Sequence, residues 1–301
     1  MEKAIKYHLQ NEIKQRIKLT GGMTFETWLL VLSDNKKVVF RTQCDFTTMG
    51  GRKIIISDVL EREKFFYENV NKNLGSVCPK VYVVDGTKQY YEHSFQIMEY
   101  IEGQKLRQYL KENPDEQTLK KVSRKIGEIT ANINQIKIDV THPYVSKRDS
   151  WENYVAKRLH ERLIGLVEYN VITPDEINKI TKNMRNRKAE HTLSFLHLDM
   201  RHCNMIINNG EIFVLDAENC EFGDPLHELA AIDVGQECND NLIEGYKSVF
   251  QNINLDSELY YYYKMERLGL VLGLYLTVLQ NDIVGKELYL NEFYATKGRV
   301  L

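Results

Sequence analysis

Cysteine is sparse in this 301-residue chain. The five thiols, Cys44, Cys78, Cys203, Cys220 and Cys238, are scattered and contain no C-x-x-C pair. That excludes a zinc ribbon or a disulfide-stapled scaffold and reads as buried thiols of a reducing compartment. An excess of one charge is also missing: 40 Lys+Arg stand against 42 Asp+Glu, a formal net charge of -2. Without the basic footprint of a nucleic-acid binder, no nucleic-acid partner is expected. No apolar run is long enough to cross a bilayer, the longest being LGLVLGLYLTVL at 268–279, which reads as a buried helix. The opening MEKAIKYHLQNEIKQ carries charges throughout and no apolar signal core, so a cytoplasmic protein with no membrane partner is expected. Internal repeats and low-complexity tracts are absent as well. What remains, 43% hydrophobic and 27% charged residues, is the composition of a globular protein whose length suits two lobes.

The two parts of the chain differ in pattern. From Lys18 to Glu102 short β-type runs are broken by turns. TWLLVL (27–32) and KVVFRT (37–42) flank Ser33-Asp34-Asn35-Lys36 and predict a hairpin. A helix is predicted near 57–72, with Ser57 as N-cap and Gly75 just past its end. KVYVVDG (80–86) and HSFQIMEYI (93–101) read as two more strands. After Gly103 the pattern turns helical. In 115–137 the residues Leu119, Val122, Ile126, Ile129 and Ile133 recur at spacings of three and four. The resulting plan is α+β: a lobe over 1–100, a short linker near 101–105, and a larger, mostly helical lobe over 101–301.

Chemistry concentrates in FLHLDMRHCNMIINNGEIFVLDAENCEFGDP, 195–225. His197-x-Asp199 is followed five residues later by Asn204, then by a turn at Asn208-Asn209-Gly210. The run IFVL leads into Asp216. Two carboxylates and one amide beside a small hairpin form a set of hard oxygen ligands suited to Mg²⁺. Asp216 follows a strand, so a rigid element can aim it. The same residues also read as a polar hairpin whose Asp and Asn serve turns.

HLDMRHCN followed by VLDAENCEFGDPLHELA resembles the aminoglycoside phosphotransferase and choline kinase superfamily, small-molecule relatives of the protein kinases. The family pattern is H-G-D-x4-N, then a hydrophobic run and Asp, often with G-D-P and a helix behind it. The resemblance implies a protein-kinase-like bilobal fold with a small antiparallel-sheet N-terminal lobe. It makes Asp199 the catalytic-loop aspartate that orients the acceptor hydroxyl and takes its proton. Asn204 and Asp216 would hold Mg²⁺ between the phosphates of ATP or GTP. Two positions depart from the pattern: Leu198 replaces the usual Gly, and His202-Cys203 stand where Pro-Gly is common. His197 is expected to brace the loop, and Asp224 to cap or anchor the following helix.

The resemblance runs back through the first lobe. KLTGGMTFET (18–27) is similar to the family's nucleotide loop, with Gly21, Gly22 and Thr24 set to approach phosphate; alone, it also reads as a plain hairpin. In KVVFRTQ the match to the kinase phosphate-binding lysine is Arg41. Glu63 shares a helical face with Val59, Phe66 and Val70, and a charge there needs a partner. The resemblance supplies one, the Arg41–Glu63 ion pair of kinases, with Glu61 and Glu68 as alternatives. FQIMEYIEGQKL (95–106) looks like the family's hinge. There Glu99 and Ile101 would offer backbone contacts to the adenine edge, and Met98 would line the base pocket or serve as core. The resemblance covers roughly 18–232, with its motifs in kinase order.

From His202 to Tyr246 there is no Lys or Arg but many acidic residues, Glu218, Glu237 and Asp240 among them. Such a wall would attract a cationic acceptor, and those three residues are the acceptor-binding candidates; a solvated acidic face explains the run equally well. The run Tyr260-Tyr261-Tyr262-Tyr263 cannot face one ligand from a helix and reads as packing. The expectation is an ATP- or GTP-dependent kinase acting on an aminoglycoside-type acceptor. Choline, ethanolamine or a methylthioribose-like sugar is the alternative acceptor, and a non-catalytic nucleotide-binding protein the alternative class. A monomer is expected, with a dimer as the other option.

Overall fold

The computed structural model describes residues 1–19, 25–43, 46–49, 52–137 and 150–301. The hairpin expected from TWLLVL and KVVFRT forms: β2 (Glu26–Leu32) runs antiparallel to β3 (Lys37–Thr42), pairing Thr27 with Arg41 and Leu30 with Val38. Its turn is held where Asn35 takes φ 65° and the Lys36 N–H donates to Asp34 Oδ1 at 3.0 Å. β1 (Ile13–Leu19), β6 (Val81–Asp85) and β7 (Phe95–Glu99) complete an antiparallel sheet in the order β1-β2-β3-β7-β6. Period-2 alternation divides its faces. Leu30, Leu32, Val38, Phe40, Phe95 and Ile97 form one core with Ala4 and Ile5 of α1 (Glu2–Leu9). Val39, Arg41 and Met98 are therefore left to the other face.

The predicted helix at 57–72 extends slightly at both ends, as α2 (Ile56–Leu74). Ser57 is not its cap. Ile55 takes that position without a side-chain bond, because strand β5 (Arg52–Ile55) runs directly into the helix. Gly75, at φ 80°, ends α2 as the sequence reads.

The chain forms two compact units. Met1–Asn113 combines with His202–Cys220, and Pro114–Arg201 with Glu221–Leu301. β8 (Gln104–Lys105) pairs with β10 (Met205–Asn208), itself paired with β11 (Glu211–Val214), and the Val214 N–H donates to Val77 O at 2.8 Å. These bonds tie the 202–220 segment to the first unit.

The second unit is mostly helical. α4 (Glu116–Ile133) buries Val122, Ile126, Ile129 and Ile133 of the expected stripe, while Leu119, near its N-terminus, is exposed. Asp115 caps it, accepting from the Thr118 N–H at 2.9 Å. α5 (Trp151–Leu163), α6 (Pro174–Arg185), α7 (Pro225–Val234), α8 (Asp240–Val249), α9 (Glu258–Thr277) and α10 (Ile283–Val300) belong to this unit, together with a two-stranded ribbon of β9 (Ser194–Leu196) and β12 (Glu221–Gly223). Asn134 fixes the ribbon: its Nδ2 donates to Phe195 O at 2.6 Å and its Oδ1 accepts from Tyr246 Oη at 2.9 Å. The tyrosine run behaves as read, with Tyr260, Tyr262 and Tyr263 buried. Among the described residues, Cys78, Cys203, Cys220 and Cys238 form no disulfide, and no helix is long and apolar enough to cross a membrane; Cys44 lies outside them.

Candidate active site

In the first unit the sheet's second face meets the buried stripe of α2, where Glu63 lies among Val59, Phe66 and Val70. Arg41 Nη1 donates to both Glu63 oxygens, at 2.9 and 2.8 Å. Its Nη2 donates to Asp216 Oδ1 at 2.9 Å, and its guanidinium lies 4.4 Å from the centre of the Phe25 ring. Of the competing glutamates, Glu61 is only half-buried and Glu68 is exposed. Burial works against the Arg41 charge, but Glu63 and then Asp216 outweigh it and raise its pKa above the ordinary arginine range. Tyr67, one helical turn beyond Glu63, donates its hydroxyl to Glu63 Oε1 at 2.9 Å and accepts from the Ala217 N–H at 3.3 Å. Sequence reasoning missed Tyr67. Its spacing of four from Glu63 on a predicted helix was the available signal.

Asp216 reaches Arg41 because of its hairpin. Asn209 and Gly210 take φ 51° and 82°, the left-handed pair of a tight two-residue turn. Met205 then pairs with Val214, and the Leu215 N–H donates to Asn204 O at 2.8 Å. Asn204 and Asp216 therefore stand together at the open end of one hairpin. Asp216 adopts φ 61°, a left-handed conformation that Asp tolerates better than most residues. Its Oδ2 has no hydrogen-bond partner among the described residues. Those residues contain no group of three His, Cys, Asp or Glu able to hold a metal. Mg²⁺ needs no such cage, since one or two protein oxygens suffice when phosphates and waters complete its shell. The oxygen pair of Asn204 and Asp216 fits an ion of that kind.

Next to them, burial and the nearby Arg107 push the His202 imidazole down to about 4, so it is neutral around pH 7. Met98 pairs with Val39 on the Arg41 face. The Glu99 N–H is taken by Lys80 O at 2.8 Å, and Ile101 lies beyond the last ladder pair. Glu218 is in a short 3-10 turn, its carbonyl accepting from Arg62 Nη2 at 2.9 Å. Gly21, Gly22 and Thr24 lie outside the described residues.

In the second unit β9 delivers His197–Arg201. Glu228 of α7 is fully buried and accepts the backbone N–H of His197 and that of Leu198, the latter at 2.8 Å. Leu198, where the resemblance leads one to expect Gly, is buried at φ 61°. A left-handed non-glycine costs about 1–2 kcal/mol. Asp199 is paired with Arg201, whose Nη2 donates to Oδ2 at 3.0 Å. Burial opposes ionisation of Asp199, but Arg201, with smaller help from Arg267 and His197, holds its pKa below the usual carboxylate value. Asp224 caps α7, accepting from the Leu226 N–H at 3.0 Å. Glu237 is half-buried behind α7, and Asp240 is exposed at the first position of α8.

The acidic run is less bare than its sequence. Lysine and arginine from elsewhere in the chain meet Asp216, Glu221, Asp233 and Glu244 through Arg41, Arg158, Lys264 and Arg124. Glu228, one of its members, faces inward onto the loop rather than outward to a ligand.

A model of the phosphotransferase enzyme family matches residues 17–247. No curated protein matches the chain. Among solved structures, a putative fructosamine-3-kinase from Haemophilus somnus 129PT is 18% identical, covers 100% of this chain and 96% of its own, and has a TM-score of 0.69. A thermostable mutant of the aminoglycoside phosphotransferase APH(4)-Ia is 14% identical over 99% of this chain and 98% of its own, with a TM-score of 0.68. The streptomycin–ATP complex of APH(2")-IIa is 17% identical over 99% and 96%, with a TM-score of 0.63. At these identities the likeness shows the fold, a kinase-like α+β architecture.

Proposed function

Because the chain belongs to the phosphotransferase enzyme family, we propose that it moves the γ-phosphoryl group of ATP to a hydroxyl of a small, amine-bearing sugar. The observation that carries this reading is the linkage of Glu63, Arg41 and Asp216 in one hydrogen-bonded chain. Phosphoryl transfer asks mainly for positioning and charge neutralisation, and these residues are arranged for both. Arg41, locked by Glu63, presents permanent positive charge toward the phosphates. Asn204 and Asp216 would hold Mg²⁺, which when bound neutralises phosphate oxygens. Gly21, Gly22 and Thr24 would cover the phosphates, and Met98, Glu99 and Ile101 would receive the base. Asp199, kept ionised, accepts a hydrogen bond from the acceptor hydroxyl and takes its proton as the new P–O bond forms.

Two of the similar structures are named for aminoglycosides and one for a fructosamine. Both names denote amines carried on sugars, which favours that acceptor class over choline. Glu218, Glu237 and Asp240 remain the candidates for meeting the amine, although the partly neutralised run weakens the case for a general acidic attraction. GTP is the alternative donor.

The test is transfer of labelled γ-phosphate from ATP, with Mg²⁺, to hygromycin B, streptomycin, fructosyl-lysine and choline. Turnover is expected on at least one sugar amine. Asp199→Ala is expected to cut it by about 10³-fold or more, with nucleotide affinity retained. Full turnover by Asp199→Ala would sink the mechanism, and turnover on choline alone would sink the acceptor class.

A further inference from the structure

The left-handed Leu198 is held at both of its backbone polar groups. Glu228 of α7 takes its N–H, and Arg267 of α9 donates Nη2 to its carbonyl at 2.8 Å. Arg267 is buried, and its carboxylate neighbour Glu266 is engaged elsewhere, with Arg158 at 2.9 Å and His227 at 3.0 Å. Among the described residues, Arg267 Nη1 has no hydrogen-bond partner. A buried guanidinium of this kind is a poor way to add stability, since well-packed apolar side chains of similar volume often do better. Beside its smaller electrostatic effect on Asp199, it supplies a fixed direction for one peptide unit, and that unit joins Leu198 to Asp199.

We propose that Arg267 is a positioning residue: it clamps the carbonyl of Leu198 so that a non-glycine residue keeps the left-handed turn that aims Asp199. A glycine would populate positive φ readily, whereas leucine would drift toward ordinary backbone angles and rotate the following carboxylate away. The proposal rests on the phosphotransfer reading for its effect on rate, but its structural core can be measured without turnover.

The experiment compares wild type, Arg267→Gln, Arg267→Lys and Leu198→Gly in the full chain. Hydrogen exchange at the Leu198 amide is read against amides of α4. In Arg267→Gln, exchange at Leu198 is expected to quicken about tenfold while α4 stays unchanged. Phosphoryl transfer to the acceptor found on the panel is expected to lose about tenfold in kcat with KM for ATP within about twofold. Arg267→Lys should recover part of that loss, and adding Leu198→Gly should shrink the remaining deficit by half or more. Should Arg267→Gln lose its cooperative melting transition, Arg267→Lys decides: a deficit absent, or equal in the leucine and glycine backgrounds, overturns the proposal. Unchanged Leu198 exchange in a folded Arg267→Gln overturns it as well. If no acceptor turns over, the phosphotransfer reading fails while the exchange result still judges the clamp.

Discussion

His191 shows how one side chain ties stability to pH. Its Nδ1 lies 3.0 Å from Asp224 Oδ1 and its Nε2 lies 2.7 Å from Asn252 O, two acceptors that together favour the doubly protonated ring. The hydrogen bond to Asp224 raises its pKa above the ordinary 6.5, against partial burial. The stabilisation is therefore complete below about pH 6.5, where the unfolded histidine is also protonated, and it is lost as pH climbs through the folded value. Screening by solvent limits it to about 1 kcal/mol. Urea unfolding of wild type and His191→Gln should show the larger gap at pH 6 and a smaller one at pH 9. A gap that widens with pH would refute the assignment. Residue identities of this kind were only partly legible beforehand. Asp224 was recognisable as a helix cap, because Asp before Pro at a helix start is a local signal. Its histidine partner, 33 positions away, was not.

Elements meet closely where small residues permit it. α4 and α8 cross with Gly127 against the Leu242 carbonyl and Gly245 against the Arg124 carbonyl. A Cβ on Gly127 would fall 2.0 Å from Leu242 O, and one on Gly245 would fall 2.1 Å from Arg124 O. Neither backbone oxygen can yield without separating the helices. Gly127→Ala should thus cost about 1–3 kcal/mol despite its better helix propensity, read as a lower urea midpoint. A neutral or stabilised Gly127→Ala would show that the crossing is loose. The crossing matters to the site because Asn134 at the end of α4 and Tyr246 of α8 together hold β9, the strand that leads into Asp199. Element types were readable from periodicity, as in the β2–β3 hairpin and the α4 stripe. Boundaries such as the start of α2 were not, since an incoming strand replaced the expected serine cap.

For the whole molecule the informative property is linkage between nucleotide and folding. A ligand that binds only the native state stabilises it by RT ln(1 + [L]/Kd), about 2.7 kcal/mol at a hundredfold excess over Kd. MgATP should raise the melting temperature of wild type, and MgGTP should do the same only if the base pocket accepts both purines. Glu63→Gln, which frees Arg41 from its helix partner, should shrink the MgATP shift. An identical shift in Glu63→Gln would remove the ion pair from the nucleotide site.

Local spacing by itself settled the α+β class, the hairpin carrying Asn204 and Asp216, the strand carrying Arg41 and the helix face carrying Glu63. These features depend on hydrophobic period and turn chemistry, which act over a few residues. Tertiary structure alone decided that Arg41 also takes Asp216, that Glu228 turns inward onto the loop, that basic residues from distant segments quiet the acidic run, and that Arg267 faces the Leu198 carbonyl. Those are pairings across long stretches of chain. They arise because a buried charge must find its counterpart wherever folding brings one within hydrogen-bond reach.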